Sequence, residues 1–142
     1  MGDISDIVHA LGGSGLVPAR TFEQLREALR AGLPYASLSA VASGFEIEGP
    51  IVASILGIPA RTLARRKKER RLSPEESDRL FRLGRLAALA EDVLGTRAKA
   101  SAWLHAGNRS LGGATPLSQL DTDLGAEQVE SALLRLAHGV VG

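Results

Sequence analysis

The sequence predicts an all-α fold, in which an N-terminal helix-turn-helix is followed by a second helical domain. Three observations lead there. Apolar residues recur at helical spacing along nearly the whole chain, and nowhere does an alternating strand pattern persist. Helix-start signatures stand at Thr21, Ser73 and Thr96. Between an apolar run ending at Leu56 and a basic run beginning at Arg65 lies a Gly57-Ile58-Pro59 break, too short for anything but a tight turn between two helices.

The elements follow in order. Residues 1–20 end in Gly12-Gly13-Ser14-Gly15, and glycine clusters leave the backbone free, so this segment is expected to be partly flexible: frayed, or a short helix on a loose link. Thr21 is an N-cap with Gln24 completing a capping box, and Phe22, Leu25 and Leu29 share one face of the helix it opens. Gly32 and Pro34 stop that helix. A second spans Tyr35 to Ala42, closed by Ser43-Gly44, and Pro50 suits the first turn of the next.

The helix-turn-helix proper occupies about residues 49–70. Ala53 is small enough for two helices to close up, Gly57 permits the turn, and Leu63 docks the second helix on the first, with Ile51, Val52, Ile55, Leu56 and Ile58 as the apolar face. Six of the seven residues Arg65-Arg66-Lys67-Lys68-Glu69-Arg70-Arg71 are basic. A charge run is commonly only a solvated helix face. One that follows a turn with matching apolar spacing points to a helix lying in the major groove of DNA, its first residues near base edges and its basic end near phosphate.

Leu72-Ser73-Pro74-Glu75-Glu76 is the clearest boundary: Ser73 caps, Pro74 suits a first helical position, and Glu76 closes the box. The helix should run to about Leu94, where Gly95 ends it. Its stripe of Leu80, Phe81, Leu83, Leu86, Ala87, Ala90, Val93 and Leu94 is broad enough to cover a second copy or to bridge the two halves of the chain. Thr96 caps a helix carrying Trp103 and Leu104, and Gly107 to Ala114 form a loop. Thr115-Pro116 begins one or two turns to Leu120. A last helix, from about Ala126, turns Val129, Leu133, Leu136 and Val140 toward the core, with Asp121 and Asp123, which flank Thr122, as its caps. The domains are thus 1–20, 21–72 and 73–142.

Composition bounds the function. The chain has 142 residues, no cysteine and a net charge of +1, so disulfides, thiolate metal sites and cysteine nucleophiles are excluded. That small charge hides a partition. Residues 61–85 hold ten basic residues against four acids, a net of +6; residues 1–60 hold three against six, a net of −3; residues 86–142 hold four against six, a net of −2. One local positive segment therefore stands between two regions free for other contacts. No apolar stretch is long enough for a membrane span, and no targeting segment opens the chain, so a cytoplasmic protein is expected.

Catalysis is not expected. His9, His105 and His138 lie in separate elements, no HExxH spacing occurs, and no catalytic residue, metal site or cofactor is read from the chain. Gly112-Gly113 lacks the lysine and the preceding strand of a phosphate loop. Trp103 reads as core, Asn108 as a turn residue, and His138 as a favourable partner of a helix C-terminus.

The order Ala102-Trp103-Leu104, Asn108-Arg109, Leu111-Gly112-Gly113, Thr115-Pro116-Leu117, Leu120, Gly125, Val129 and Leu133 to Gly139 resembles the toxin-binding domain of the Xre/ParS class of bacterial antitoxins. Ile58 to Arg66 and Leu72 to Ser77 are similar to the helix-turn-helix and linker of the same proteins. The resemblance implies an antitoxin of a type II system. Such a protein occludes the pocket of a RES-domain toxin that depletes NAD, and binds its operator DNA, usually as a homodimer. It further implies a DNA role for Arg61, Thr62, Arg65, Arg66 and Lys68, and toxin contact for Asn108, Arg109, Arg135, His138 and Gly139. The alternative from the residues is a stand-alone helix-turn-helix transcriptional regulator whose second half dimerises or senses a ligand.

Overall fold

The structure, a computed structural model, describes residues 3–139, and among these are eight α-helices, two 3₁₀ turns and no strand. The helices are α1 (Ile4–Ala10), α2 (Phe22–Ala31), α3 (Tyr35–Gly44), α4 (Gly49–Leu56), α5 (Ala60–Glu69), α6 (Pro74–Leu94), α7 (Arg97–His105) and α8 (Asp123–Ala137). The 3₁₀ turns, Arg109–Leu111 and Leu117–Gln119, lie between α7 and α8. The all-α class that the periodicity predicts is the class observed.

The fold is organised by α6. Its start is the capping box expected of Ser73-Pro74-Glu75-Glu76: the Ser73 hydroxyl accepts the Glu76 N–H at 3.1 Å, and Glu76 Oε1 accepts the Ser73 N–H at 2.9 Å. Its end is Gly95 in the left-handed region. In between, Leu80, Leu83, Leu86, Ala87, Leu89 and Ala90 are buried, because α1, α2, α4, α7 and α8 all pack on this helix. Most of the stripe is thus covered within one chain, bridging its halves as one of the two sequence expectations had it, while Phe81, Val93 and Leu94 stay half-buried. A single cluster of buried residues runs from Ile7 to Leu133.

Two sets of contacts fasten the connections on either side of α3. Around the α2–α3 connection, the buried Ser77 hydroxyl accepts the Leu33 N–H at 2.7 Å, the Leu72 N–H donates to the Leu33 carbonyl at 2.9 Å, and the Arg71 guanidinium donates to the Gly32 carbonyl at 2.6 Å. At the end of α3, the Phe45 carbonyl accepts from Ser101 at 2.9 Å and lies 3.0 Å from the His105 ring, while the Arg97 guanidinium lies 4.8 Å from the centre of the Phe45 ring. The Ser77, Ser101, His105 and Arg97 contacts join the two halves, and the Arg71 and Leu72 bonds close the first half on itself.

Several sequence expectations change. The N-terminal segment forms a short helix, but not on a loose link: α1 buries Ile7 and Val8, packs on α6 and, with Leu11 and Val17 beyond it, belongs to the core. Its glycines make a turn, with the Gly13 N–H donating to the Val8 carbonyl at 2.8 Å. Phe22 is 64% exposed although Leu25 on the same helix is buried, because Phe22 is the first residue of α2 and nothing packs against that end. Gln24 turns its side chain to the Arg20 N–H rather than to Thr21, leaving half a capping box. The last helix begins at Asp123, capped by Thr122, and Leu136 is 42% exposed rather than core. Full burial on that helix ends earlier, at Leu133. Val140 lies outside the described residues.

Candidate functional site

Two surfaces carry the residues singled out in the sequence, one at α5 and one at the far end of α8. At the first, α4 ends on Gly57, whose left-handed backbone (φ 70°) makes the turn, and Pro59 leads into α5. The Arg79 guanidinium of α6 donates to the Leu56 carbonyl at 3.2 Å and so holds the end of α4. Ala53 is buried at the crossing and Leu63 is half-buried against the core. No residue of α5 is fully buried. This helix lies on the body rather than in it.

Helical spacing sorts its side chains. Arg61, Arg65 and Lys68 recur at i, i+4 and i+7 and are exposed, whereas Thr62, Leu63 and Arg66 form the half-buried inner side. Of the five residues expected to face DNA, three therefore share one outward face. Thr62 lies at its margin. Arg66 is placed differently from these three: its Nε donates to Glu76 Oε1 at 2.7 Å and its Nη1 to Glu69 Oε1 at 3.0 Å. The Glu76 and Glu69 carboxylates hold the Arg66 guanidinium well above its ordinary pKa. Burial alone would push the Glu76 carboxyl up, but hydrogen bonds from Arg66 and Ser73 outweigh it and hold the carboxyl below the usual range. A basic run in a sequence does not show which of its members is spent on a carboxylate ten residues away.

The second surface is a cleft between the end of α7, the Arg109–Leu111 turn and α8. Trp103, Asn108, Arg109, Ser110, Ala132 and Leu136 line it. Arg135, His138 and Gly139 follow on the last turn of α8 and just beyond it, so the five residues expected to contact a toxin gather at one end of the molecule. Asn108 serves the turn first, its side-chain oxygen accepting the Ser110 N–H at 2.9 Å and its carbonyl the Gly113 N–H at 2.9 Å. Arg109, His138 and Gly139 are exposed and Arg135 is half-buried. Sequence reasoning missed the apolar part of this surface: Leu136, assigned to the core, is exposed, and Trp103 packs against the core as expected but also lines the cleft. Helical period shows a shared face, and only the neighbouring elements show whether that face is covered.

Toward its opposite end, α8 is fixed to α6 by Arg82, which donates to the Leu120 carbonyl at 2.8 Å and pairs with Asp123, and by the Arg85–Glu130 ion pair. Among the described residues no cluster of His, Asp and Glu could hold a metal ion, and no helix is long and apolar enough to cross a membrane.

Two family models match the chain: the antitoxin Xre-like helix-turn-helix domain over residues 24–85, and the antitoxin Xre/MbcA/ParS C-terminal toxin-binding domain over residues 89–139. A protein named Antitoxin Xre from Pseudomonas putida is 43% identical over 83 residues, 58% of this chain and 52% of that protein. Another of that name, from Yersinia enterocolitica, is 41% identical over 86 residues, 59% of this chain and 58% of its own length. The chain thus spans little more than half the length of these two relatives. A third Antitoxin Xre, from Photorhabdus laumondii, is 31% identical over 126 residues, covering 87% of this chain and 85% of the relative.

Proposed function

Since the chain belongs to the Xre antitoxin family, with its helix-turn-helix and toxin-binding domains, we propose that it is the antitoxin of a type II toxin–antitoxin pair. In this reading it neutralises a RES-domain, NAD-depleting toxin by covering the toxin's pocket, and represses its own operon through α5. It acts in the cytoplasm, as a homodimer within a larger complex with the toxin.

The observation that carries the reading is the presence of two separate exposed surfaces on one core. Arg61, Arg65 and Lys68 project from a helix with no buried residue and no side-chain cap at its N-terminus, an arrangement suited to phosphate and base edges. The cleft of Trp103, Arg109 and Leu136 offers an aromatic ring, a cation and an exposed leucine, a mixture of apolar anchor and charge suited to a protein partner. A regulator that only bound DNA would have no use for the second surface. Residues 21–72 supply the DNA-binding part and residues 73–142 the toxin-binding part, with α6 common to the packing of both.

Co-expression with the product of the neighbouring gene tests the proposal. The expected outcome is restored growth, a stable complex on co-purification, and recovery of cellular NAD. Continued NAD loss, with no complex formed, would leave the stand-alone regulator as the better account.

A further inference from the structure

We infer that Glu76, a buried acidic residue on α6, is a positioning residue for DNA recognition: it sets the pose of α5 through Arg66, whose guanidinium it withholds from the nucleic acid. The inference rests on the reading of α5 as the helix that meets DNA.

The packing of α5 is thin. With no fully buried residue, its orientation depends on Leu63 and the preceding Ile58, both only partly buried against the core. Its far end is tied by backbone hydrogen bonds from the residues that follow, the Arg70 carbonyl accepting the Tyr35 N–H at 3.0 Å and the Leu72 N–H reaching Leu33. Between these points the side-chain link from α5 to the rest of the protein is Arg66 Nε to Glu76 Oε1 at 2.7 Å. Charge-assisted bonds of this kind are directional, so this one restrains rotation of the helix about its axis as well as its distance from α6.

Glu76 is suited to act as the reference point. It is 3% exposed, and the oxygen that receives Arg66 also accepts the Ser73 N–H at 2.9 Å, so the carboxylate is fixed by the cap of the central helix. Arg66 lies on the inner side of α5, away from Arg61, Arg65 and Lys68. Fixing it therefore fixes the direction in which those three cations project.

Charge and pose make opposite demands, which gives the test its sign. Neutralising Glu76 raises the net charge from +1 to +2, and a more positive protein binds any DNA more tightly through counterion release. Loss of the pose weakens only binding that depends on base edges.

The full chain is measured by fluorescence anisotropy against two probes: a duplex enriched from a random-sequence pool by the unmodified chain, and an unenriched random duplex. Glu76→Gln and Arg66→Gln are expected to lower affinity for the enriched duplex about tenfold, while Glu76→Gln leaves affinity for the random duplex unchanged or raised. Arg65→Gln should flatten the salt dependence by about 0.9 in slope, and Arg66→Gln should not. The amide introduced by Glu76→Gln retains an oxygen for the Ser73 N–H but removes the charge that holds the Arg66 guanidinium, and Arg66→Gln leaves the cap untouched, so both variants keep the fold, checked by circular dichroism at the assay temperature. Equal or tighter binding of Glu76→Gln to the enriched duplex, or a slope change on Arg66→Gln matching that of Arg65→Gln, would overturn the inference. Failure of the unmodified chain to enrich any duplex would overturn the DNA-binding reading itself, and the positioning role with it.

Discussion

A Cβ on Gly125 would lie 1.8 Å from the carbonyl oxygen of Gln119, so the second 3₁₀ turn and the first turn of α8 approach as closely as they do only because residue 125 has no side chain. The obstacle is backbone and cannot swing aside. Gly125→Ala must therefore displace either the turn or the helix.

Gly125→Ala is expected to destabilise the protein at the upper end of the about 1–3 kcal/mol typical of overpacking, or beyond it. Gly113→Ala makes a useful comparison, since at φ +91° it is strained but would meet nothing within 4 Å. Its cost is the backbone's alone, about 1–3 kcal/mol. Urea midpoints measured against the unmodified chain give the two costs separately, and a Gly125→Ala midpoint equal to that of the unmodified chain would mean that the Gln119 turn relaxes freely.

Leu86 is fully buried between the helices that surround α6, so Leu86→Ala should cost about 2–5 kcal/mol. Leu86→Asp would place an unpaired charge in the core and is expected to unfold the chain rather than release folded monomers. Circular dichroism with light scattering distinguishes these outcomes. A folded, monomeric Leu86→Asp protein would mean that the stripe is an interface between copies after all.

The Glu76 carboxyl also links stability to pH. Its pKa in the folded protein lies below the usual carboxylate range, held there by Arg66 and Ser73 against the opposing effect of burial. The folded state therefore binds the proton less readily than the unfolded chain. The resulting stabilisation is complete above the ordinary glutamate pKa of about 4.3 and is lost as pH falls through the lower folded value. Glu76→Gln should flatten that acid limb of the stability curve while also lowering stability near neutrality. Denaturant midpoints across pH 3 to 7, with an unaltered acid limb in the variant, would reject the linkage.

Much of the fold is legible in the sequence because its signals are local. Ser73-Pro74-Glu75-Glu76 contains everything needed to start α6, and Ala53, Gly57 and Leu63 everything needed to turn between α4 and α5. What escapes is non-local. Phe22 and Leu136 sit at apolar positions of amphipathic helices, yet each lies near a helix end where no other element covers it. The segment around Gly12 and Gly13 looks loose until α6 is present to bury Ile7 and Leu11. The candidate sites divide in the same way. The basic run locates α5, but only the capping carboxylate of α6 shows that Arg66 faces inward, and only the approach of α7 to α8 makes one cleft of Trp103 and Leu136.

Exposure decides the last prediction, which concerns binding of the partner. Leu133 is fully buried and Leu136 is 42% exposed, although both lie on α8 one turn apart. Leu133→Ala should cost about 2–5 kcal/mol and lower toxin binding simply by loosening the fold. Leu136→Glu, a change at a mostly solvated position, should alter stability by no more than about 0.5 kcal/mol. If the cleft contacts the toxin, that same change puts a charge against the partner's apolar surface and leaves Arg109 with a competing neighbour. Affinity should then fall at least about a hundredfold, the scale of an interface hot spot, while DNA binding through α5 is unchanged. Trp103→Ala should weaken toxin binding too, but with some loss of stability, since the ring also packs against the core. Isothermal titration with the co-purified toxin, paired with thermal melts of each variant, separates contact from folding. A Leu136→Glu chain that melts normally and still binds the toxin at full strength would move the interface off this cleft and onto the exposed residues His138 and Gly139 beside it.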